Sequence, residues 1–352
     1  MHDGATQYFN WAIAGYGDVV SRRILPAIKA EAKAKITSIY GRTQDKVDAI
    51  AARFNAQLAT TNIDEAIYGA DALYVATPVS GHLTAAIAAL SKGCPVLIEK
   101  PLCTGIGDIQ TFLELAENTK TPVGIAYYRR HYPWVRWLNQ KISTTDFGAF
   151  KSAQINFSCP FDPAPNHPMA WRLNRNISGG GVLADAGSHR LDLLCYWFGM
   201  PETVKATFSN FSKLGAESRA SLKLKWREGG TANICTEWNN RSIDQLLVTF
   251  DKAEVSINGL DSGQISIEQN GERNTHDFAM EENPHAAAIR DFQASVEHDT
   301  LPACTIHQAL MVDAILAAAH ASSKLSTNVA LPQASCNSTE IARFVTSYSD
   351  KW

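Results

Sequence analysis

Two short stretches of the chain place acids and bases where they could move a proton. The first is Val96-Leu97-Ile98-Glu99-Lys100-Pro101, an apolar run that ends in an acid, a base and a proline. In an open parallel sheet the carboxyl ends of the strands are where ligands bind. A strand of this kind would bring Lys100 there, able to hold a hydroxyl or a developing oxyanion; a surface lysine paired with Glu99 is the other reading. The second stretch is Ser178-Gly179-Gly180-Gly181, followed by Asp185, His189 and Asp192. Three glycines let a loop pass close to a ligand. On the helix predicted over residues 184–197, Asp185 and His189 are four apart and Asp192 follows three later, on one stripe. A carboxylate there can orient the imidazole while its other nitrogen faces a substrate; the alternative is a pair that only stabilises the helix.

A third stretch suits a dinucleotide. Gly15-Tyr16-Gly17-Asp18-Val19-Val20 follows the apolar run Trp11–Ala14 and precedes a helical segment. Gly15 and Gly17 allow a sharp bend and close approach to a pyrophosphate, which the following helix N-terminus favours with N–H groups and partial positive charge. Val20 stands where a third glycine would complete G-x-G-x-x-G, a position that governs helix–strand packing more than phosphate contact. At the end of the next strand an NAD site usually carries an acid. This chain has Tyr40-Gly41-Arg42-Thr43, with Lys46 a turn further on. A guanidinium, a hydroxyl and an ammonium suit a 2′-phosphate, so NADP is expected over NAD; Arg42 capping the sheet and stacking on adenine is the alternative.

The elements that must position these residues follow from periodicity. Strands are predicted at 11–14, 36–40, 72–76, 96–98 and 123–126, with helices at 23–34, 44–54, 81–90 and 107–118 between them. That alternation implies a parallel sheet covered on both faces. Beyond Gly148 the pattern turns to strands without intervening helices, at 150–158, 203–211, 218–226, 231–238, 246–250 and 264–269. Glu228-Gly229-Gly230 and Asn270-Gly271 offer hairpin turns. A helix pair at 284–297 and 307–324 closes the chain. The expected fold is α/β: residues 1–126 form a Rossmann dinucleotide-binding domain, and residues 127–352 an α+β domain with a large, mostly antiparallel open sheet.

The 352 residues suffice for two cores, and 45% hydrophobic with 19% charged residues is ordinary for a globular chain. A net charge of −3 without basic runs gives no reason to expect nucleic acid. No stretch reaches the roughly 18 apolar residues of a membrane span, and the N-terminus lacks a signal-peptide pattern. Seven scattered cysteines without C-x-x-C fit reduced thiols in a cytoplasm and no metal site.

Taken together, these motifs resemble the Gfo/Idh/MocA oxidoreductases. The resemblance runs through the glycine turn, Thr77-Pro78 with His82, Glu99-Lys100-Pro101, Arg130 with Pro133, Trp171-Arg172, the triple-glycine loop with Asp185, His189 and Asp192, and the helices after Asn283-Pro284. It implies that Lys100, Asp185 and His189 occupy the family's catalytic positions. It also implies that Thr77, Pro78 and Glu99 line the nicotinamide side, with His82 nearby, and that the open sheet mediates assembly into a homo-oligomer, a dimer or tetramer.

The expected chemistry is hydride transfer between nicotinamide and a hydroxyl or keto carbon of a sugar, polyol or sugar derivative. His189, oriented by Asp185, is the expected base, and Lys100 the group that steadies oxyanion charge; either could carry the proton. The substrate side would come from Tyr128, Arg130, Trp171, Arg172, Asp185 and His189, since an aromatic face beside a guanidinium suits a polyhydroxylated ring. Packing between domains is the other reading of the aromatic cluster. Two alternatives remain: an NADP-sensing regulator of the same fold, and a glycosidase using transient NAD redox.

Overall fold

The first sheet exists because its strands are apolar enough to be buried on both faces. The computed structural model describes residues 8–104, 109–333 and 335–348. Strands β1 (Phe9–Ala14), β2 (Ala34–Tyr40), β3 (Leu58–Thr60), β4 (Ala72–Val75), β5 (Val96–Ile98) and β6 (Val123–Ile125) pair in parallel in the order β3-β2-β1-β4-β5-β6. Helices α1 (Leu25–Ala30), α2 (Gln44–Phe54), α3 (Ile63–Ile67), α4 (His82–Leu90) and α5 (Ile109–Thr119) alternate with them. The strand order reverses between β1 and β4, the switch point at which such sheets receive ligands.

The second sheet is built on alternation rather than continuous apolar runs. After helix α6 (Pro133–Ser143) come β7 (Phe150–Cys159), the single helical turn α7 (Arg175–Ser178) and helix α8 (Ser188–Phe198). Strands β8 (Thr203–Phe211), β9 (Glu217–Lys225), β10 (Thr231–Trp238), β11 (Ile243–Phe250), β12 (Ala253–Asn258), β13 (Gln264–Gln269) and β14 (Glu272–Asp277) follow. Among the described residues they form a nine-stranded sheet, β14-β13-β12-β11-β7-β10-β9-β8-β15, with β15 at Val329–Ala330. Pairing is antiparallel except between β7 and β10. Asn270 and Gly271 have φ of 56° and 79°, the paired left-handed values of a tight hairpin turn. One face carries aromatic groups toward α8: Phe150 stacks on Phe198 at 3.8 Å between centroids and meets Trp226 edge-on. Trp134 of α6 lies 6.1 Å from Trp197. The helix that carries His189 is therefore fixed by its far end.

Helix α9 (Ala286–His298) returns to the first unit. Its Phe292 lies 6.0 Å from the Trp11 ring and fills the space that a side chain on Gly124 would need. Helices α10 (Ile306–Leu325) and α11 (Ser338–Ser347) belong to the second. Of the described residues, 8–103, 109–128 and 282–306 thus form one compact unit, and 104, 129–281, 307–333 and 335–348 the other. A single boundary after Ala126 does not describe this, because α9 buries its apolar face against the first sheet.

Other departures from the sequence reading have local causes. The first helix ends at Ala30, and Ala34 already begins β2. Strand β3, three residues long, is too short to show a period. The expected helix start at Gly107 lies outside the described residues. Strand β14 is exposed at every position and carries no alternation, β12 lies in an unmarked run, and α6 opens on a proline that fixes its first turn.

Candidate active site

At the carboxyl end of β1 the chain turns on Gly15, whose φ of 130° a side-chain-bearing residue would resist. A Cβ there would also meet the Ala76 carbonyl at 2.5 Å, whereas at Gly17 it would enter open space. The turn thus lies against β4 and is open on its outer side. Val20, at the third-glycine position, is fully buried in the core, and the helix opens with a π turn, Val20–Ile24. The first helical N–H groups have no intrahelical acceptor, so those of Asp18 and Val19 are available to an anion. The Tyr16 ring covers Gly41, and its hydroxyl lies 3.3 Å from Thr43 Oγ1. Lys46 Nζ stands 5.9 Å from that ring. Arg42, Thr43 and Lys46 are all exposed, a donor set just past the end of β2, whose Tyr40-Gly41-Arg42-Thr43 ending carries no acid.

The ends of β4 and β5 form a polar cluster. Thr77 Oγ1 is buried without a hydrogen-bond partner, the kind of orphan group a ligand explains. An open glycine turn, exposed cations at β2 and this hydroxyl together fit a dinucleotide. Glu99 is buried; Tyr74 donates to its Oε1 at 2.9 Å, and the Lys100 backbone N–H to its Oε2 at 3.3 Å. His285, reaching in from the start of α9, has Nε2 3.5 Å from Glu99 Oε1, and Tyr128 lies over its ring at 4.4 Å. Burial alone would raise the Glu99 carboxyl, but His285, the Lys100 charge and the Tyr74 hydroxyl together hold it below the ordinary range. Burial, with the Glu99 charge adding, pushes the Tyr74 phenol well up. Lys100 follows half-buried, joined to Pro101 through a cis peptide bond.

Both ring nitrogens of His82 are taken up inside the protein. The side chain is buried, with Nδ1 3.0 Å from the Pro101 carbonyl and Nε2 3.0 Å from the Thr77 carbonyl. Burial lowers its pKa, although Glu99 and these carbonyls pull the other way. The ring staples the end of β4 to the turn after β5, so its contribution is to the shape of the site.

In the second unit the triple-glycine loop leads into a second π turn, Leu183–Gly187, and then α8. A π turn spaces residues differently from an α-helix, so Asp185 is offset from the expected stripe. Its Oδ1 accepts from Arg172 Nε at 3.2 Å, and the Arg172 guanidinium lies 5.0 Å from the Trp171 ring centre. Trp171, Arg172 and Asp185 are therefore adjacent and part-exposed, as a substrate surface requires. His189 is buried in the first turn of α8.

Arg130 is placed otherwise than expected. Only 1% of its side chain is exposed, as for Asp192, to which it donates through Nε and a terminal nitrogen at 2.7–3.1 Å. Its other terminal nitrogen donates to Gln308 at 2.7 Å. It neutralises Asp192 inside the protein and braces α8, with no surface for a sugar. Sequence reading also missed Arg190, which packs on Phe157 and pairs with Asp244, and Glu217 and His285, which no local motif marks. Among the described residues no helix is long and apolar enough to cross a membrane, and no group of three or more His, Cys, Asp or Glu could hold a metal.

Comparison with known proteins bears on the family and the fold. Residues 9–127 match the family model described as an oxidoreductase family with an NAD-binding Rossmann fold, and residues 135–256 match the GFO/IDH/MocA C-terminal domain. An oxidoreductase of Formosa agariphila is 26% identical over 318 residues, 87% of this chain and 97% of that protein. D-xylose 1-dehydrogenase (NADP(+)) 2 of Haloferax volcanii is 24% identical over 226 residues, 64% of this chain and 68% of that protein. The aldose-aldose oxidoreductase of Caulobacter crescentus, solved with glycerol, superposes with a TM-score of 0.83 over 92% of this chain and all of that one. At 20% identity, that likeness is one of fold.

Proposed function

The chain belongs to the Gfo/Idh/MocA family of NAD(P)-binding oxidoreductases, and from that premise we propose that it interconverts a hydroxyl and a keto carbon of a sugar, polyol or sugar derivative, with NADP as the preferred cofactor. The observation that carries this reading is Lys100, held at the carboxyl end of β5 directly after the buried, anionic Glu99.

The residues divide the work as follows. Gly15, Tyr16, Gly17, Asp18 and Val19 receive the pyrophosphate, and Arg42, Thr43 and Lys46 the 2′-phosphate. Thr77, Pro78 and Glu99 line the nicotinamide pocket, and Tyr128 closes over His285 beside it. The hydride acceptor or donor would be supplied by bound NADP. Lys100 binds the reacting oxygen and steadies the charge that develops there. His189 takes the hydroxyl proton during oxidation and returns it during reduction. Asp185 and Arg172 hold each other beside it; with Trp171 they offer the ring an apolar face and polar donors. The enzyme acts in the cytoplasm, and the open face of the second sheet serves self-association.

A panel of aldoses, inositols and anhydro- or keto-sugars, assayed with NADP(H) and NAD(H), tests this directly. At least one sugar should change nicotinamide absorbance; none doing so with saturating cofactor overturns the reading. Arg42→Ala should weaken NADP about tenfold by loss of one charge-assisted contact and leave NAD unchanged. Equal effects on both would remove the NADP preference.

A further inference from the structure

One carboxylate beneath the glycine loop has no part in the chemistry above. Glu217 opens β9 and is completely buried. Its Oε2 accepts the Gly181 N–H at 2.8 Å, and its Oε1 accepts the Leu183 N–H at 3.1 Å. The loop is fitted to this strand end: a Cβ on Gly181 would lie 1.8 Å from the Glu217 carbonyl oxygen. The Leu183 amide begins the π turn that carries Asp185 and runs into Ser188 and His189. The two bonds therefore fix the entry of the segment on which both proposed functional side chains stand.

We propose that Glu217 is the positioning residue of this half of the site, its two oxygens clamping the glycine loop and the π turn in the register that Asp185 and His189 require. Ionised, the carboxylate satisfies both amides; protonated, its carbonyl oxygen still accepts from one, while its hydroxyl oxygen becomes a much weaker acceptor for the other. The charged and titratable groups facing it are Arg175 of α7, whose charge acts on the carboxylate, and His320 of α10, whose Nε2 lies beside Gly180. Burial, with the Arg175 charge adding, holds His320 far down, so that ring is neutral. Burial raises the Glu217 carboxyl to about 7 despite its own N–H, the Leu183 and Gly181 amides and Arg175. The clamp thus opens and closes around neutrality.

The kinetic part of the test rests on the proposed sugar oxidoreductase reading, and a spectroscopic part stands without it. In 15N-glycine-labelled wild-type protein, the Gly181 amide signal should shift with pH with a midpoint near 7. In Glu217→Gln, which carries one acceptor oxygen at every pH, that shift should vanish. The same variant should lose about tenfold in kcat/KM for the sugar, corresponding to one lost charge-assisted bond. It should also lack the wild type's rise in kcat/KM through pH 7 and bind NADP unchanged. Glu217→Asp, which keeps the charge, should retain the titration, and serves if the glutamine variant fails to fold. A wild-type Gly181 signal that stays still, or a glutamine variant that titrates or turns over like wild type, overturns the proposal. Absence of sugar turnover in the wild type overturns the reading of function and leaves the amide titration to decide on Glu217.

Discussion

Two glutamates lie beside the two halves of the proposed site, both buried, and they meet the cost of burial differently. Around Glu99 stand a tyrosine hydroxyl, the His285 ring and the Lys100 charge, and the carboxyl ends below its ordinary range. Around Glu217 stand mainly backbone amides, with the half-buried Arg175 at a distance, and the carboxyl ends near 7. Amide dipoles give direction and bond length, but they offset less of the lost hydration than nearby charge does. The first glutamate stays an anion through the neutral range, next to Lys100 in the chain; the second titrates around neutrality.

The strongest way to break this contrast is Lys100→Met. With saturating cofactor and sugar, turnover should fall about 10³-fold while cofactor fluorescence is kept. Near-normal turnover would reduce Lys100 to a counter-charge for Glu99. Arg130→Ala sharpens the same rule at Asp192, because it strips a buried carboxylate of its bidentate partner. Denaturant unfolding should show a loss of roughly 3 kcal/mol; a loss below about 1 kcal/mol would mean that burial is relieved there by other means.

Stability against pH should separate the two glutamates by sign. An acid raised from about 4.5 to about 7 by folding binds its proton more tightly in the native state, so Glu217 makes stability fall as pH rises between those values. The decline should be on the order of 3 kcal/mol and should flatten in Glu217→Gln. Glu99 is depressed on folding, so its contribution is present above about 4.5 and is lost as pH falls below it. The gap between wild type and Glu99→Gln should therefore narrow only in acid. Parallel curves for the two variants would abolish the distinction.

Much of the first unit was legible because its signals are local. The glycine turn, the apolar runs of β1, β4 and β5, and the Glu99-Lys100-Pro101 ending each lie within ten residues. The triple-glycine loop and α8 were legible for the same reason. What escaped depends on distance or on spacing. Arg130 and Asp192 meet across 62 positions and Glu217 reaches Gly181 across 36, so no window along the chain joins them. His285 reaches Glu99 only because α9 folds back, which the reading of a closing helix pair did not foresee. The π turns shift residues off an α-helical stripe, and no propensity marks where an extra residue is taken up.

Helix α9 also sets the order in which this protein can be made. The first sheet is encoded by residue 125, yet Phe292, which seals Trp11 and the flank of Gly124, is added only after eight of the nine strands of the second sheet have been synthesised. At roughly 5–20 residues per second, on the order of ten seconds or more separate the two. During that interval the nascent nucleotide-binding unit presents an apolar face, and the growing second unit is threaded between the two parts of the first.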